Sequence, residues 1–240
     1  MTDKLYIIIP AYNEEANLAK VAKEWHAVVE KISPESRLVI INDGSRDNTA
    51  QVLESLRSEL PQLTALTKAN SGHGATLLYG YNYALAQNAD FIFQTDSDGQ
   101  TIPEEFWPFW AQRQQFAALI GSRHKRADGF SRVIVTKTLK FILWCIFGAN
   151  IPDANTPFRL LNRAVLAKYI AKIPPDFNLT NVLLTVCLIK YKEPVKFIPI
   201  TFRPRQGGTN SINLSKISKI GLQAVKDFWR LKTTLSANVK

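Results

Sequence analysis

Long apolar runs, cysteines and, in its second half, acidic residues are what this sequence has little of. The longest charge-free stretches, Phe141 to Pro152 and Phe177 to Ile189, are 12 and 13 residues long. A spanning helix needs about 20 apolar residues, so no transmembrane segment is expected. The two cysteines, Cys145 and Cys187, lie far apart in apolar patterns, which points to buried thiols in a reducing compartment rather than a disulfide or a metal pair. Neither a signal-peptide pattern nor a lipidation signature opens the chain at Met1-Thr2-Asp3-Lys4. No Gly-x-Gly-x-x-Gly follows the first apolar strand and no Gly-x-x-x-x-Gly-Lys-[Ser/Thr] occurs, which counts against dinucleotide-binding and P-loop chemistry. Residues 121–240 hold 5 acidic side chains against 21 lysines and arginines, whereas residues 1–120 hold 15 against 9. A basic second half suits phosphates, anionic lipid headgroups or nucleic acid, and composition does not choose among them.

What is present is an alternation of short apolar runs with helical patterns. Leu5 to Ile9 reads as a strand stopped by Pro10, with Asn13 placed to cap a helix that begins at Glu14 and Glu15 and carries Leu18, Val21, Trp25 and Val28. Arg37 to Asn42 reads as the second strand, with Asp47 able to cap the helix after it; Thr64 to Thr67 is a short third strand. The glycine-rich loop Lys68 to Gly74 leads into a third helix, and Phe91 to Thr95 is the fourth strand. Ala117 to Ser122 and Val195 to Thr201 are two more. This pattern predicts an α/β fold, a mostly parallel sheet with helices on both faces, whose strand ends near Pro10, Asn42, Lys68 and Asp96 share one edge. One domain is expected over residues 1–211 and a basic amphipathic helix and tail over residues 212–240. That helix, Asn213 to Leu235, fits a membrane interface or the surface of its own domain.

The fourth strand delivers Asp96 and Asp98 one residue apart, with Gln100 close behind. Two carboxylates this close repel each other unless a divalent cation sits between them and a phosphate-bearing substrate; the alternative is a plain Asp-Gly turn. The loop Arg123 to Gly129 and the stretch Phe202 to Ser211, with Arg203 and Arg205 before Gly207-Gly208, are basic segments that follow strands and suit phosphate contact. Phe106-Trp107-Pro108-Phe109-Trp110 is expected to pack as helix rather than to form a sugar or lipid platform.

Taken in order, Pro10-Ala11-Tyr12-Asn13-Glu14-Glu15, Asp43-Gly44-Ser45 with Asp47, Asn70-Ser71-Gly72-His73-Gly74, Asp96-Ser97-Asp98-Gly99-Gln100 and Gly121-Ser122-Arg123 resemble the motifs of family 2 glycosyltransferases. The branch most similar is that of the dolichol-phosphate mannose synthases and related polyprenyl-phosphate transferases. Asp153-Ala154-Asn155-Thr156-Pro157-Phe158-Arg159 and Pro199-Ile200-Thr201-Phe202-Arg203 extend the match to roughly residues 4–211. The resemblance implies a GT-A fold in which Pro10, Tyr12, Glu14 and Asp43 line the nucleotide pocket. It implies that Asp96, Asp98 and Gln100 hold Mg²⁺ or Mn²⁺ against the diphosphate of a UDP- or GDP-sugar. Arg123, Arg132, Arg203 and Arg205 would meet the departing diphosphate or an acceptor phosphate.

Displacing a nucleoside diphosphate from a sugar builds negative charge that a metal and arginines stabilise. A hydroxyl acceptor would also need a general base, and carboxylates after residue 120 are few. The expected reaction is therefore inverting, metal-dependent transfer to a polyprenyl phosphate. It would take place at the inner face of a membrane that a cytoplasmic, peripheral enzyme touches without crossing. A hydroxyl acceptor, with Asp128 or Asp153 as base, is the second reading. A haloacid dehalogenase-type phosphatase, from the Asp-x-Asp, and a non-catalytic basic module for membrane or nucleic acid are the others, and nucleic acid is not the expected partner.

Overall fold

The computed structural model describes residues 3–123, 151–175 and 177–204. Arg132, Arg205, Cys145, the basic loop after Arg123, the Gly207-Gly208 turn and the C-terminal helix fall outside the described residues, as does the expected boundary at residue 211.

Seven strands form one sheet: β1 (Leu5–Ala11), β2 (Arg37–Asp43), β3 (Leu63–Lys68), β4 (Phe91–Gln94), β5 (Ala118–Arg123), β6 (Arg159–Asn162) and β7 (Val195–Ile200), in the order β3-β2-β1-β4-β6-β5-β7. β1 pairs in parallel with β2 and with β4, and β5 pairs in parallel with β7. β6 alone runs against its neighbours β4 and β5. This strand is absent from the sequence reading. With four residues and a charged side chain at its start, it offers no periodicity to detect.

The expected alternation is otherwise present, with α1 (Leu18–Glu30), α2 (Thr49–Glu59) and α3 (His73–Ala86) between the first four strands. A 3₁₀ turn (Pro103–Phe106) runs into α4 (Trp107–Ala111), and α5 (Arg163–Ile170) and α6 (Thr180–Lys190) precede β7. α1 buries Leu18, Val21, Ala22, Trp25, Val28 and Val29, the stripe that 3.6-residue spacing produces. α6 buries every residue from Thr180 to Leu188 and so packs as an interior helix.

The pleat of the sheet divides the core. Tyr6 and Ile8 join α3, α5 and α6 on one face, whereas Leu5, Ile7 and Ile9 join α1 and α2 on the other. Phe93 anchors the second face, its ring centroid 4.7 Å from Phe158, 5.0 Å from Phe106 and 5.2 Å from Trp25. The aromatic stretch Phe106 to Trp110 thus packs against the sheet, with Phe106 and Phe109 fully buried. Among the described residues, no helix is long and apolar enough to cross a membrane.

Candidate active site

The C-terminal ends of β1, β2, β3, β4, β5 and β7 share one edge of the sheet, and the order reverses between β1 and β4, where open α/β sheets bind ligands. Every site residue expected from the sequence that the structure describes lies along this edge.

The first rim is a pair of loops laced together. Asn13, with φ +55°, does not cap α1, which starts four residues beyond the expected Glu14. Its side chain instead accepts the Arg46 backbone N–H at 2.8 Å, and its own N–H donates to Ser45 Oγ at 3.0 Å. Glu14 N–H donates to Thr49 Oγ1 at 2.8 Å, and Glu15 Oε2 accepts Asn48 N–H at 2.8 Å. Asp47 accepts the Thr49 backbone N–H at 3.0 Å and the hydroxyl at 2.5 Å just ahead of α2, whose N-cap position falls to Asn48 rather than to the expected Asp47. Burial pushes the Asp47 carboxyl up, but the bonds from Thr49 and from Glu15 N–H outweigh it and hold the group below its ordinary value. These loops carry Tyr12 partly exposed and Glu14 buried, with Glu14 Oε2 accepting Asn17 Nδ2 at 2.8 Å, and Pro10 lies buried near the end of β1.

Asp43, at the end of β2, is 3% exposed and ties down the glycine-rich loop. Its Oδ1 accepts Ser71 N–H and its Oδ2 accepts Gly72 N–H, both at 2.9 Å, while Asn70 Nδ2 donates to its backbone carbonyl at 2.8 Å. Lys68 Nζ adds an ion pair to Oδ1 and a bond to Ser71 Oγ. Gly44 permits this approach: a Cβ there would stand 2.7 Å from Asn70 N, and its φ of +63° suits glycine. The carboxylate expected to face the nucleotide therefore also shapes the loop beside it.

β4 stops at Gln94, and the turn after it is fixed at several points. Ser97 Oγ donates to Pro10 O at 2.9 Å, the Thr95 and Thr101 hydroxyls lie 2.7 Å apart, and Gln100 N–H donates to Asp98 Oδ1 at 3.1 Å. Asp96 Oδ1 is buried and has no hydrogen-bond partner among the described residues. A buried carboxylate oxygen without a donor is costly in an isolated protein and suited to a cation. Among the described residues no group of three or more His, Cys, Asp or Glu side chains could hold a metal. The available set is two carboxylates and an amide, which matches Mg²⁺ or Mn²⁺ held in part by substrate phosphates.

The arginines divide by partner. Arg123, expected at a phosphate, donates through Nε and Nη2 to both oxygens of Asp153, at 2.7 and 2.9 Å, and lies over the Phe202 ring at 5.1 Å. Arg203, just past β7, has no ion-pair partner among the described residues. Arg159 is the residue that sequence reasoning missed. It is fully buried opposite Gln94, and all its hydrogen bonds go to neutral oxygens: the Ala154, Thr156 and Asn181 carbonyls and the Thr185 hydroxyl, at 2.7 to 3.3 Å. Burial lowers its affinity for the proton, which the nearby Tyr81, Asp153 and Asp96 partly restore. Burial also lifts the Tyr81 phenol well above its ordinary value, and its hydroxyl bonds Gln94 Oε1 at 2.9 Å. The available signal was an arginine inside the apolar run Phe158-Arg159-Leu160-Leu161, a charge that only burial with polar partners explains.

Known proteins share both the sequence and the architecture. Residues 6–170 match the family model described as Glycosyl transferase family 2. Polyprenol monophosphomannose synthase of Mycolicibacterium smegmatis is 27% identical over 225 residues, 90% of this chain and 83% of that protein. Undecaprenyl-phosphate 4-deoxy-4-formamido-L-arabinose transferase of Pseudomonas fluorescens is 26% identical over 168 residues, 69% of this chain but 49% of that protein. The chain thus matches about half the length of that transferase. Glucosyl-3-phosphoglycerate synthase of Mycobacterium tuberculosis, solved with Mn²⁺, uridine-diphosphate-glucose and phosphoglyceric acid, superposes with a TM-score of 0.69 at 15% identity, covering 96% of this chain and 80% of that one. That likeness shows the fold, with the mostly parallel sheet that the sequence predicts.

Proposed function

The chain belongs to glycosyl transferase family 2 and is a glycosyltransferase, and from that premise we propose that it moves a sugar from a nucleoside-diphosphate donor to a polyprenyl phosphate at a membrane surface. The observation that carries the donor side is Asp96 Oδ1, buried without a hydrogen-bond donor among the described residues, at the sheet edge where open α/β sheets bind ligands. Asp96, Asp98 and the Gln100 amide oxygen would hold Mg²⁺ or Mn²⁺, which when bound neutralises charge on the diphosphate. Pro10, Tyr12, Glu14 and Asp43 would line the nucleoside pocket, and Arg203 would meet the diphosphate as it departs. A phosphate oxygen of the acceptor attacks the anomeric carbon as the bond to the donor diphosphate breaks, with the electron pair leaving on the diphosphate. A single displacement inverts that carbon.

The acceptor assignment is supported by the relatives' names and by the placement of the two carboxylates described after residue 120; Asp128, the other expected base, lies outside the described residues, as do Asp176 and Asp227. A phosphate nucleophile carries no proton that must be removed, whereas a hydroxyl needs a base. Asp153 gives both oxygens to Arg123 and is poorly placed for that task. Glu193 precedes β7 and so lies at the opposite end of the sheet from the site. The 21 cationic residues of the second half suit an anionic membrane surface and the acceptor phosphate. Calorimetric titration with UDP- and GDP-sugars, with Mn²⁺ and with chelator, tests the donor side. Metal-dependent binding of one nucleotide is expected, and binding unaffected by chelator would contradict it.

A further inference from the structure

Gln100 and Arg203 hold each other by two hydrogen bonds that run in opposite directions. The Arg203 N–H donates to the Gln100 carbonyl at 2.8 Å, and Gln100 Nε2 donates to the Arg203 carbonyl at 2.8 Å. Two residues earlier, Thr201 N–H donates to both carboxylate oxygens of Glu105, at 3.0 and 2.9 Å. The chain leaving β7 is thereby tied to the turn that carries Asp96 and Asp98, across 103 residues of sequence. A side-chain amide has one donor end and one acceptor end. With Nε2 committed to Arg203, the end left to face a cation is Oε1.

We propose that Gln100 is a positioning residue for Arg203, joining the cation site to the guanidinium that meets the diphosphate. This rests on the metal and diphosphate reading given above. With Oε1 turned to a cation, the amide plane would be fixed and Nε2 kept on the Arg203 carbonyl. Arg203, which has no carboxylate partner among the described residues, is then held beside the turn with its charge available. The contributions of Gln100 and Arg203 to diphosphate binding are consequently coupled rather than additive. The residue type follows from the two tasks. A glutamate at 100 would offer the cation an oxygen as good or better, but it has no N–H for the Arg203 carbonyl.

The test is a double-mutant cycle on Gln100→Glu and Arg203→Ala. Mn²⁺ binding alone is read from the spin-resonance signal of the free ion, and binding of inorganic pyrophosphate at fixed Mn²⁺ is read by calorimetry. Gln100→Glu is expected to bind Mn²⁺ at least as tightly as the wild-type protein. Arg203→Ala is expected to weaken pyrophosphate about tenfold in the wild-type background, the scale of one charge-assisted hydrogen bond, and less than about twofold in the Gln100→Glu background. An equal loss in both backgrounds overturns the coupling while leaving the metal site standing. A wild-type protein that takes up Mn²⁺ neither alone nor with pyrophosphate overturns both, and the spin-resonance signal reveals it. Thermal unfolding of each variant separates a local effect from a failure to fold.

Discussion

Arg123 and Asp153 meet as a fork across the end of β5, Nε to Oδ2 at 2.7 Å and Nη2 to Oδ1 at 2.9 Å, with side chains only 10% and 9% exposed. Removing one partner of so enclosed a pair leaves a desolvated charge. Asp153→Ala is expected to cost about 3 kcal/mol, the low end for a broken buried pair, and urea denaturation measures it. Arg123→Lys loses the two-pronged geometry and is expected to recover less than half of that.

Asp96 predicts the opposite balance. Its buried Oδ1 has no donor among the described residues, so Asp96→Asn breaks no hydrogen bond there and gives up only the attraction to the buried Arg159. The expected result is unchanged or raised thermal stability with sugar transfer lowered about 10²- to 10³-fold, the usual scale for losing one electrostatic contact to the transition state. Comparing melting temperature with turnover checks both.

Arg159 has no such freedom. Arg159→Met would leave the Thr156 carbonyl without a donor among the described residues and remove the positive charge that faces Asp96 and Asp153, while the Ala154 and Asn181 carbonyls keep the Thr185 hydroxyl; an unsatisfied buried group costs about 1–3 kcal/mol before relaxation. A loss of at least about 3 kcal/mol is expected in chemical denaturation. Within the described residues this is the site substitution expected to unfold the protein soonest.

Two titrating groups give signed expectations. The bonds from Lys168 Nζ and the Tyr169 hydroxyl, both 2.6 Å, hold the Glu193 carboxyl below its ordinary value near 4.5. Its contribution is therefore present above that value and lost as the pH falls through the lowered one. Glu193→Gln should be less stable than wild type at pH 7, with the difference closing in acid. Burial pushes the Cys187 thiol up to about 11, so the native thiol should resist alkylation at neutral pH and react in urea, as peptide mass mapping would show.

Strands whose apolar runs end in turn formers were legible from the chain alone: Leu5 to Ile9, Arg37 to Asn42 and Phe91 to Thr95 each fall within a residue or two of the observed element. The parallel order followed from the helices between them, and the edge that holds Asp43, Asp96 and Asp98 followed from the order. β6 was not legible, because its antiparallel insertion between β4 and β5 is decided by pairing across the sheet rather than by its four residues. Asn13 misled for a related reason. A capping residue was read from local spacing, while a contact 33 positions away, at Arg46, claims its side chain. Arg159 marks the same limit at the site, since the sequence shows a charge and only the fold shows that its partners are all neutral.

Transfer to a phosphate rather than to a hydroxyl is decided by one assay: labelled sugar from UDP- and GDP-sugars, presented with Mn²⁺ to undecaprenyl phosphate or to undecaprenol in detergent. Label appearing on the lipid phosphate and not on the lipid alcohol is the predicted result. Label on the alcohol, or on neither lipid while a soluble hydroxyl acceptor is glycosylated, would contradict it.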